Sequence, residues 1–203
     1  MGLPRLSVRR RGRDQRGATL VEAAFVFPVL IIIAFGLIEF GLVLKDYLTV
    51  ANMTRSGART AVATGASATA DYNILQSIGA AGTALGSGNL QYIVIFKATA
   101  GSSALPSPSC NSGSVTGLCN YYTPAQLTLA KTNFGNCLSN GDATVDGAWC
   151  PVQRVNTLTG NSGVGPDYVG VYVKTVHPYI TKLFGSSLTM TDTTVMRIEP
   201  AGT

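Results

Sequence analysis

Charged and apolar residues are distributed very unevenly along the first quarter of the chain. Residues 1–17 contain six arginines and one aspartate, whereas no charge occurs between Glu22 and Glu39. The apolar run then resumes and ends at Leu44. Residues 23–44 make 22 positions, and about 20 apolar residues suffice for a helix to cross the hydrocarbon core of a bilayer. This pattern predicts one transmembrane helix.

The helical pattern continues beyond the apolar run. Apolar positions recur near helical spacing, and polar residues fill other positions; the apolar set is Leu48, Ala51, Ala58 and Val62, and the polar set is Lys45, Asn52, Arg55 and Arg59. Gly57 is tolerated inside a helix at a modest cost, and Gly65 ends it. A helix over residues 18–64 is about 70 Å long at 1.5 Å per residue. Since the hydrocarbon core is about 30 Å thick, the second half of this helix must project outside. Pro28 has no backbone N–H, so we expect a kink in the helix or looser first turns there.

The sequence pattern of the rest of the chain, residues 66–203, predicts short helices and strands. Asp71 is a candidate N-cap for a short helix with an apolar face over residues 74–85, and Thr-Pro opens a candidate helix over residues 123–134. Strand patterns, β-branched and aromatic or alternating, cover residues 91–98, 168–176 and 186–198. We therefore expect an α+β fold, in which a long hydrophobic helix extends into a small domain and an antiparallel sheet packs on its outer half.

The net charge of +5 comes entirely from the first 17 residues. The other 186 residues hold nine Lys or Arg and nine Asp or Glu. A nucleic-acid-binding domain is expected to keep its basic patch on the folded part, so no nucleic-acid partner is expected here. A basic cluster beside a membrane helix is instead typical of the cytoplasmic side. The domain after the helix is therefore expected outside.

Four cysteines follow the helix, which places them on the expected outer side: Cys110, Cys119, Cys137 and Cys150. An even number in an exported domain favours disulfides, and four cysteines allow three pairings. Zinc sites prefer closer pairs than these spacings give. The sequential pairs Cys110–Cys119 and Cys137–Cys150 close the shortest loops and are preferred.

The N-terminal pattern has two interpretations. A secretory signal peptide has a short apolar core and then a small-residue cleavage site, but this core is longer and is followed by Lys-Asp-Tyr-Leu. The alternative is a basic leader that is cut before the apolar run. The order of arginine cluster, Gly17, Ala18, Glu22 and apolar run resembles a prepilin processing site, where a membrane peptidase cuts after the glycine. Residues 1–17 would then be the cleaved leader, residues 18–65 the pilin-like helix and residues 66–203 the exported domain.

The resemblance can be narrowed to one family. Residues 16–30, with Pro28 shortly after Glu22, and residues 35–41, with Glu39 between glycines, resemble the TadE-like minor pseudopilins of tight-adherence (Flp) pili. Residues 189–200 resemble the end of that family more weakly, and the middle of the chain resembles no named family.

This resemblance implies a structural or assembly-priming pilus subunit. The implied partners are a prepilin peptidase, other pilins and pseudopilins of the system with their assembly machinery, and the lipid bilayer. The implied location is the cytoplasmic membrane, in a single pass, and after assembly the extracellular pilus. Glu22 would pair with the N-terminal amine that cleavage creates. The alternative function is an unprocessed single-pass surface or binding module.

Catalytic and ligand-binding patterns are not identifiable in the sequence. The only histidine, His177, precedes Pro178 at a strand end, where a structural or solvent-facing role is expected. Two acids near glycines in residues 140–147 lack the ligand ladder and closing Glu of a calcium loop and indicate a turn. No serine elbow, phosphate-binding loop or HExxH motif occurs. We therefore expect no enzyme, no cofactor and no metal.

Overall fold

The computed structural model describes residues 16–86, 88–99, 105–135, 145–157, 165–182 and 184–200. The predicted leader up to residue 15, Cys137 and most of the predicted turn at 140–147 lie outside the described residues. The chain divides into two compact units, Met1–Gly41 and Leu42–Thr203. They are described separately below.

One long helix, α1 (Arg16–Thr64), occupies most of the N-terminal third of the chain. It ends where the sequence predicts, because Gly65 adopts a left-handed φ of +52°, a conformation that glycine takes without steric cost. The amide of Gly65 still donates to the Ala61 carbonyl at 3.1 Å and so closes the last turn.

A four-stranded antiparallel sheet follows a second helix, α2 (Ala70–Ala81). Its strands are β1 (Leu90–Ala98), β2 (Cys119–Tyr122), β3 (Tyr168–Pro178) and β4 (Ser187–Arg197), and their spatial order is β2-β1-β3-β4. The α+β expectation is therefore confirmed. Strand β2 was not predicted from the sequence, because four residues are too few to show a period.

The second half of α1 packs with α2 on one face of the sheet. Ala51 and Ala58 of the predicted apolar face are buried, as are Val50, Met53 and Ala61. All of these except Ala51 share a core with Ile74, Ile78, Ile93, Val171 and Val173. The predicted apolar face was partly wrong, because Leu48 is 53% exposed. The buried stripe lies beside it and includes the polar residues Asp46, Thr49 and Thr54. Partners from the sheet determine which face of α1 is buried. Asp46 pairs with His177, and Thr54 donates to the Asp192 carboxylate.

The helix predicted over residues 123–134 was also wrong. Two short 3₁₀ helices, Pro124–Thr128 and Lys131–Asn133, replace it. The predicted start is sound, since the Thr123 amide is capped by the Gln126 side chain. However, the Leu127 carbonyl accepts a hydrogen bond from the side-chain amide of Gln76, in α2, at 3.0 Å. In an α-helix that carbonyl would also accept from the amide four residues later, but the backbone becomes extended at Leu129, where ψ is 147°, and the α-helical path ends there.

Asp71 is not the N-cap of α2, as the sequence had suggested. Thr69 occupies that position, and Asp71 lies fully buried in the first turn. Its oxygens accept hydrogen bonds from Arg154 at 2.6 Å, Tyr122 at 2.6 Å and Asn120 at 2.8 Å. Three donors in the core outweigh one backbone cap, because a buried carboxylate without partners is very costly.

This buried group holds the long loops against the sheet. The Asn120 side chain is bonded to both backbone groups of Trp149, and the Arg154 guanidinium lies 4.2 Å from the Trp149 ring centre. Burial, followed by the Asp71 carboxylate, raises the pKa of Tyr122 well above its usual value. The phenol therefore stays protonated and remains a donor to Asp71. Removing one partner of a buried charge pair of this kind typically costs about 3–5 kcal/mol.

Gly57 marks a close approach between α1 and the rest of the core. A Cβ added at Gly57 would lie 2.7 Å from Cγ1 of Ile78 and 3.2 Å from Cγ1 of Val171. Ile78 and Val171 are both fully buried, so neither can move aside without disturbing its own packing. The absence of a side chain at this position allows α1 to contact α2 and β3 together.

We expect Gly57→Ala to lower the free energy of unfolding and Gly79→Ala to raise it. Alanine gains about 1 kcal/mol over glycine in either helix, but overpacking at Gly57 costs about 1–3 kcal/mol. At Gly79 the new Cβ would meet only Leu127, at 3.9 Å. Thermal unfolding of the two variants in detergent, followed by circular dichroism, measures the difference. Equal stabilisation by both substitutions would contradict this packing.

Candidate functional site: the apolar helix and its N-terminal carboxylate

The N-terminal unit presents apolar side chains around the whole circumference of α1. Exposed large side chains occur in every turn and include Leu20, Phe25, Phe27, Leu30, Ile32, Phe35, Leu37 and Phe40. A helix that is apolar on all sides is typical of a membrane span or of the core of an assembly. Residues Thr19–Thr64 of this helix are long and apolar enough to cross a membrane, by length and composition.

The predicted processing site lies within the first turns of α1. Gly17 is exposed, and an added Cβ there would meet nothing within 4 Å. Ala18 and Glu22 are four residues apart on the same helix, about 6 Å along its axis. They therefore lie one turn apart on the same helix face.

The two carboxylates of the apolar segment have opposite environments. Glu22 is exposed, whereas Glu39 is only 1% exposed. In water an exposed carboxylate is solvated, but inside an apolar phase a charged side chain is costly. Glu22 is therefore the acidic group that calls for a cationic partner once the helix surface is covered by lipid or by other helices.

Pro28 lies inside α1, six residues after Glu22. Its ring nitrogen carries no hydrogen, so the Ala24 carbonyl loses its helical donor. Helices are tolerant of such a break in a membrane when neighbouring groups satisfy the carbonyl. The kink itself stays a prediction.

The cysteines lie far from this segment in the sequence, in the second unit. A disulfide joins Cys110 to Cys119, which is the first of the two preferred pairs. Cys119 is the first residue of β2 and lies opposite Phe96 near the end of β1. The bond therefore fastens the loop before β2 to that end of the sheet. Cys137 lies outside the described residues, so the pairing Cys137–Cys150 stays a prediction.

Comparison with protein families identifies the N-terminal region. Residues 17–59 match the model of the family described as TadE-like protein. The N-terminal region of this chain is TadE-like. The matched segment begins at Gly17 and covers the apolar run together with the adjoining part of α1 that packs on the sheet. The search of curated proteins and the search of solved structures returned no match.

Some residue roles were missed by the sequence analysis. His177 is structural as expected, but it is buried, and its Nδ1 lies 2.7 Å from Oδ2 of Asp46. Asp71 and Arg154 form a fully buried ion pair. Both pairs join residues far apart in sequence, and neither has a local signal. The scarcity of charges in residues 66–203 is the one hint in the sequence that each charge has a defined partner.

We expect native, non-reduced protein to show no alkylation at any of the four cysteines. The reason is that each thiol is predicted to be held in a disulfide, and the sulfurs of Cys110 and Cys119 are already bonded to each other. Mass spectrometry after treatment with iodoacetamide in denaturant, without reductant, measures the labelling, because Cys110, Cys119 and Cys150 are buried in the fold. As a control, Cys110→Ser should produce a single label, on Cys119. Labelling of two or more cysteines in the native chain would rule the pairing out.

Proposed function

We propose that this chain is a minor pilin, or pseudopilin, of a tight-adherence pilus, acting as a structural or assembly-priming subunit. The observation that carries the proposal is the TadE-like helix, whose apolar surface is exposed on every side directly after the Gly17–Ala18 bond. Such a surface requires either lipid or neighbouring helices. A pilus subunit meets both in turn, first in the membrane and then in the fibre.

Processing is the first step of the proposed function. A prepilin peptidase would cut after Gly17 and remove the arginine-rich leader, so that the mature chain begins at Ala18. Before cleavage, the leader arginines would hold the N-terminus on the cytoplasmic side and residues 66–203 outside. After cleavage, the six leader arginines no longer resist withdrawal of the helix from the membrane, which assembly into a fibre requires.

Pairing of Glu22 is the proposed assembly contact. Cleavage removes Arg16, the nearest cation before Glu22, and creates a new cation at the Ala18 amine. The amine and Glu22 lie one helical turn apart within one chain. In a bundle of parallel helices, the amine of one subunit can also approach Glu22 of the next. A buried charge left unpaired costs about 3–5 kcal/mol, so this contact would fix the register between subunits.

The alternative function is an unprocessed, membrane-anchored surface or binding module. It would keep its leader and would need no partner for Glu22, because Arg16 would remain nearby. The two functions therefore differ in the N-terminal residue of the mature chain and in the effect of changing Glu22.

We expect Glu22→Ala to insert into the membrane and to be cleaved largely as the wild type, but to enter the pilus complex poorly. The substitution leaves the Ala18 amine of the assembled subunit without its carboxylate. Co-purification with pilin partners from membranes, together with pilus counts by electron microscopy, measures incorporation.

Two matched substitutions separate charge from shape. Glu22→Gln keeps the size and one acceptor oxygen but removes the charge, and it should fail like Glu22→Ala. Glu22→Asp keeps the charge and should recover part of the incorporation. Glu22→Ala protein that co-purifies with its partners as well as the wild type and supports normal pilus numbers would refute the proposal.

A further inference from the structure

Exposed apolar residues of the second unit concentrate at one end of the domain. Among the described residues from position 42 onward, eight large apolar side chains are exposed. Six of them belong either to α1 at the end of the apolar run and just after it, or to the turn between β3 and β4 and the start of β4. They are Leu44, Tyr47, Leu48, Ile180, Phe184 and Leu188, and we call this set the tip patch.

Three contacts along α1 show how the β3–β4 hairpin runs beside it. Gly57 lies against Val171, Thr54 bonds to Asp192 and Thr194, and Asp46 pairs with His177. Moving from Gly57 back to Asp46 covers about 16 Å of helix. The matching path from Val171 to His177 covers about 20 Å of strand. Strand β3 therefore runs antiparallel to α1.

This direction brings the hairpin turn to the end of the apolar run. His177 is level with Asp46, and β3 ends one residue later, at Pro178. Residues beyond Pro178 continue along the same direction, so Tyr179, about 7 Å beyond His177, is expected near the level of Leu42, within one helical turn of Leu44. The two parts of the tip patch thus lie at the same height along α1.

The chemistry of the tip patch fits the surface of a bilayer. Aromatic rings and lysines are typical of the region between lipid headgroups and acyl chains. Tyr179 and Phe184 are in ring contact at the hairpin turn, and Tyr47 is exposed on the helix. Lys182 is the only charged residue in 179–191, and Lys45 directly follows the apolar run. The nearby Asp46 carboxylate is already paired with Lys45 and His177.

We propose that the β3–β4 turn is a second membrane contact, which rests in the lipid interface beside the point where α1 leaves the bilayer. Ile180 and Phe184 enter the upper acyl region, and Lys182 and Lys45 contact lipid phosphates. The inference rests on the proposed function only in requiring that the apolar run span a bilayer. The contact of the β3–β4 turn with lipid fixes the orientation of the sheet at the membrane surface before assembly.

Single tryptophans placed in the full chain test this contact. Phe184→Trp reports on the turn, Phe35→Trp reports on the membrane span, and Leu105→Trp is the matched surface control. Leu105 and Ile180 are both 71% exposed, but Leu105 precedes Cys110, whose disulfide lies near the opposite end of the sheet. The chain with Trp149 alone gives the background. Each protein is placed as one copy per lipid nanodisc, with phosphatidylcholine brominated high on the acyl chains as the quencher.

The expected result is quenching of the added emission in Phe35→Trp and Phe184→Trp and none in Leu105→Trp. Quenching of Phe35→Trp alone would overturn the membrane contact and leave the span intact. No quenching of either would overturn the span and, with it, the proposed function. A blue shift of Phe184→Trp that requires several copies or added pilin partners would show a protein occupant instead, which also overturns the inference.

Lysine substitutions test the lipid headgroup contact. Adding phosphatidylglycerol at 0.1 M salt should increase quenching of Phe184→Trp, and Lys182→Gln in the same chain should abolish the increase. Arg59→Gln removes the same charge from an exposed site about 21 Å along α1 from Lys45, beyond the screening length of about 10 Å at 0.1 M salt. It should leave the increase unchanged. An equal loss with Arg59→Gln would contradict a local headgroup contact.

Discussion

The structure depends on one constraint, which is that a helix with apolar side chains on every face must be kept out of water. Between Glu22 and Glu39 the chain carries no charge, and the side chains there are exposed around α1. About 25 cal/mol is gained for each Å² of apolar surface that leaves water, so lipid or other helices must cover this segment. The TadE-like match falls on the same residues. The roles proposed for the arginine-rich leader and for the Glu22 carboxylate both depend on this segment.

After Leu44 the same helix packs against α2 and the sheet and contributes to the hydrophobic core of the second unit. The change is made by small and polar residues rather than by a break in the helix. Gly57 lets α2 and β3 approach, and Thr54 and Asp46 bind the two strands of the β3–β4 hairpin. Because the sheet is fastened to α1 at several heights, movement of the outer part of the helix must carry the sheet with it. From Leu42 onward, helix and sheet therefore belong to one compact unit.

Sequence analysis recovered the features that have a long period or a strong local signal. The 49-residue helix, its end at Gly65 and the strands β1, β3 and β4 follow from hydrophobic spacing and glycine chemistry. It failed where a distant partner decides the outcome. Asp71 has the residue type and position of an N-cap, but three buried donors from other elements claim it. The 123–134 segment has a proper helix start, but its backbone becomes extended at Leu129, and the side chain of Gln76 in α2 donates a hydrogen bond to the Leu127 carbonyl. For the candidate site, the motif itself located Gly17, Ala18 and Glu22, whereas the Asp46–His177 pair spans 131 positions and has no sequence signature.

The central claim is that the apolar helix becomes the N-terminus of a processed pilus subunit. Determining the N-terminal residue of the protein purified from its native membrane, by mass spectrometry of the intact chain and of its first peptide, tests that claim most directly. The account predicts a mature chain that begins at Ala18, with Glu22 as its fifth residue. A chain that retains residues 1–17 in the membrane where the pilus machinery is active would contradict it and would favour an unprocessed membrane anchor.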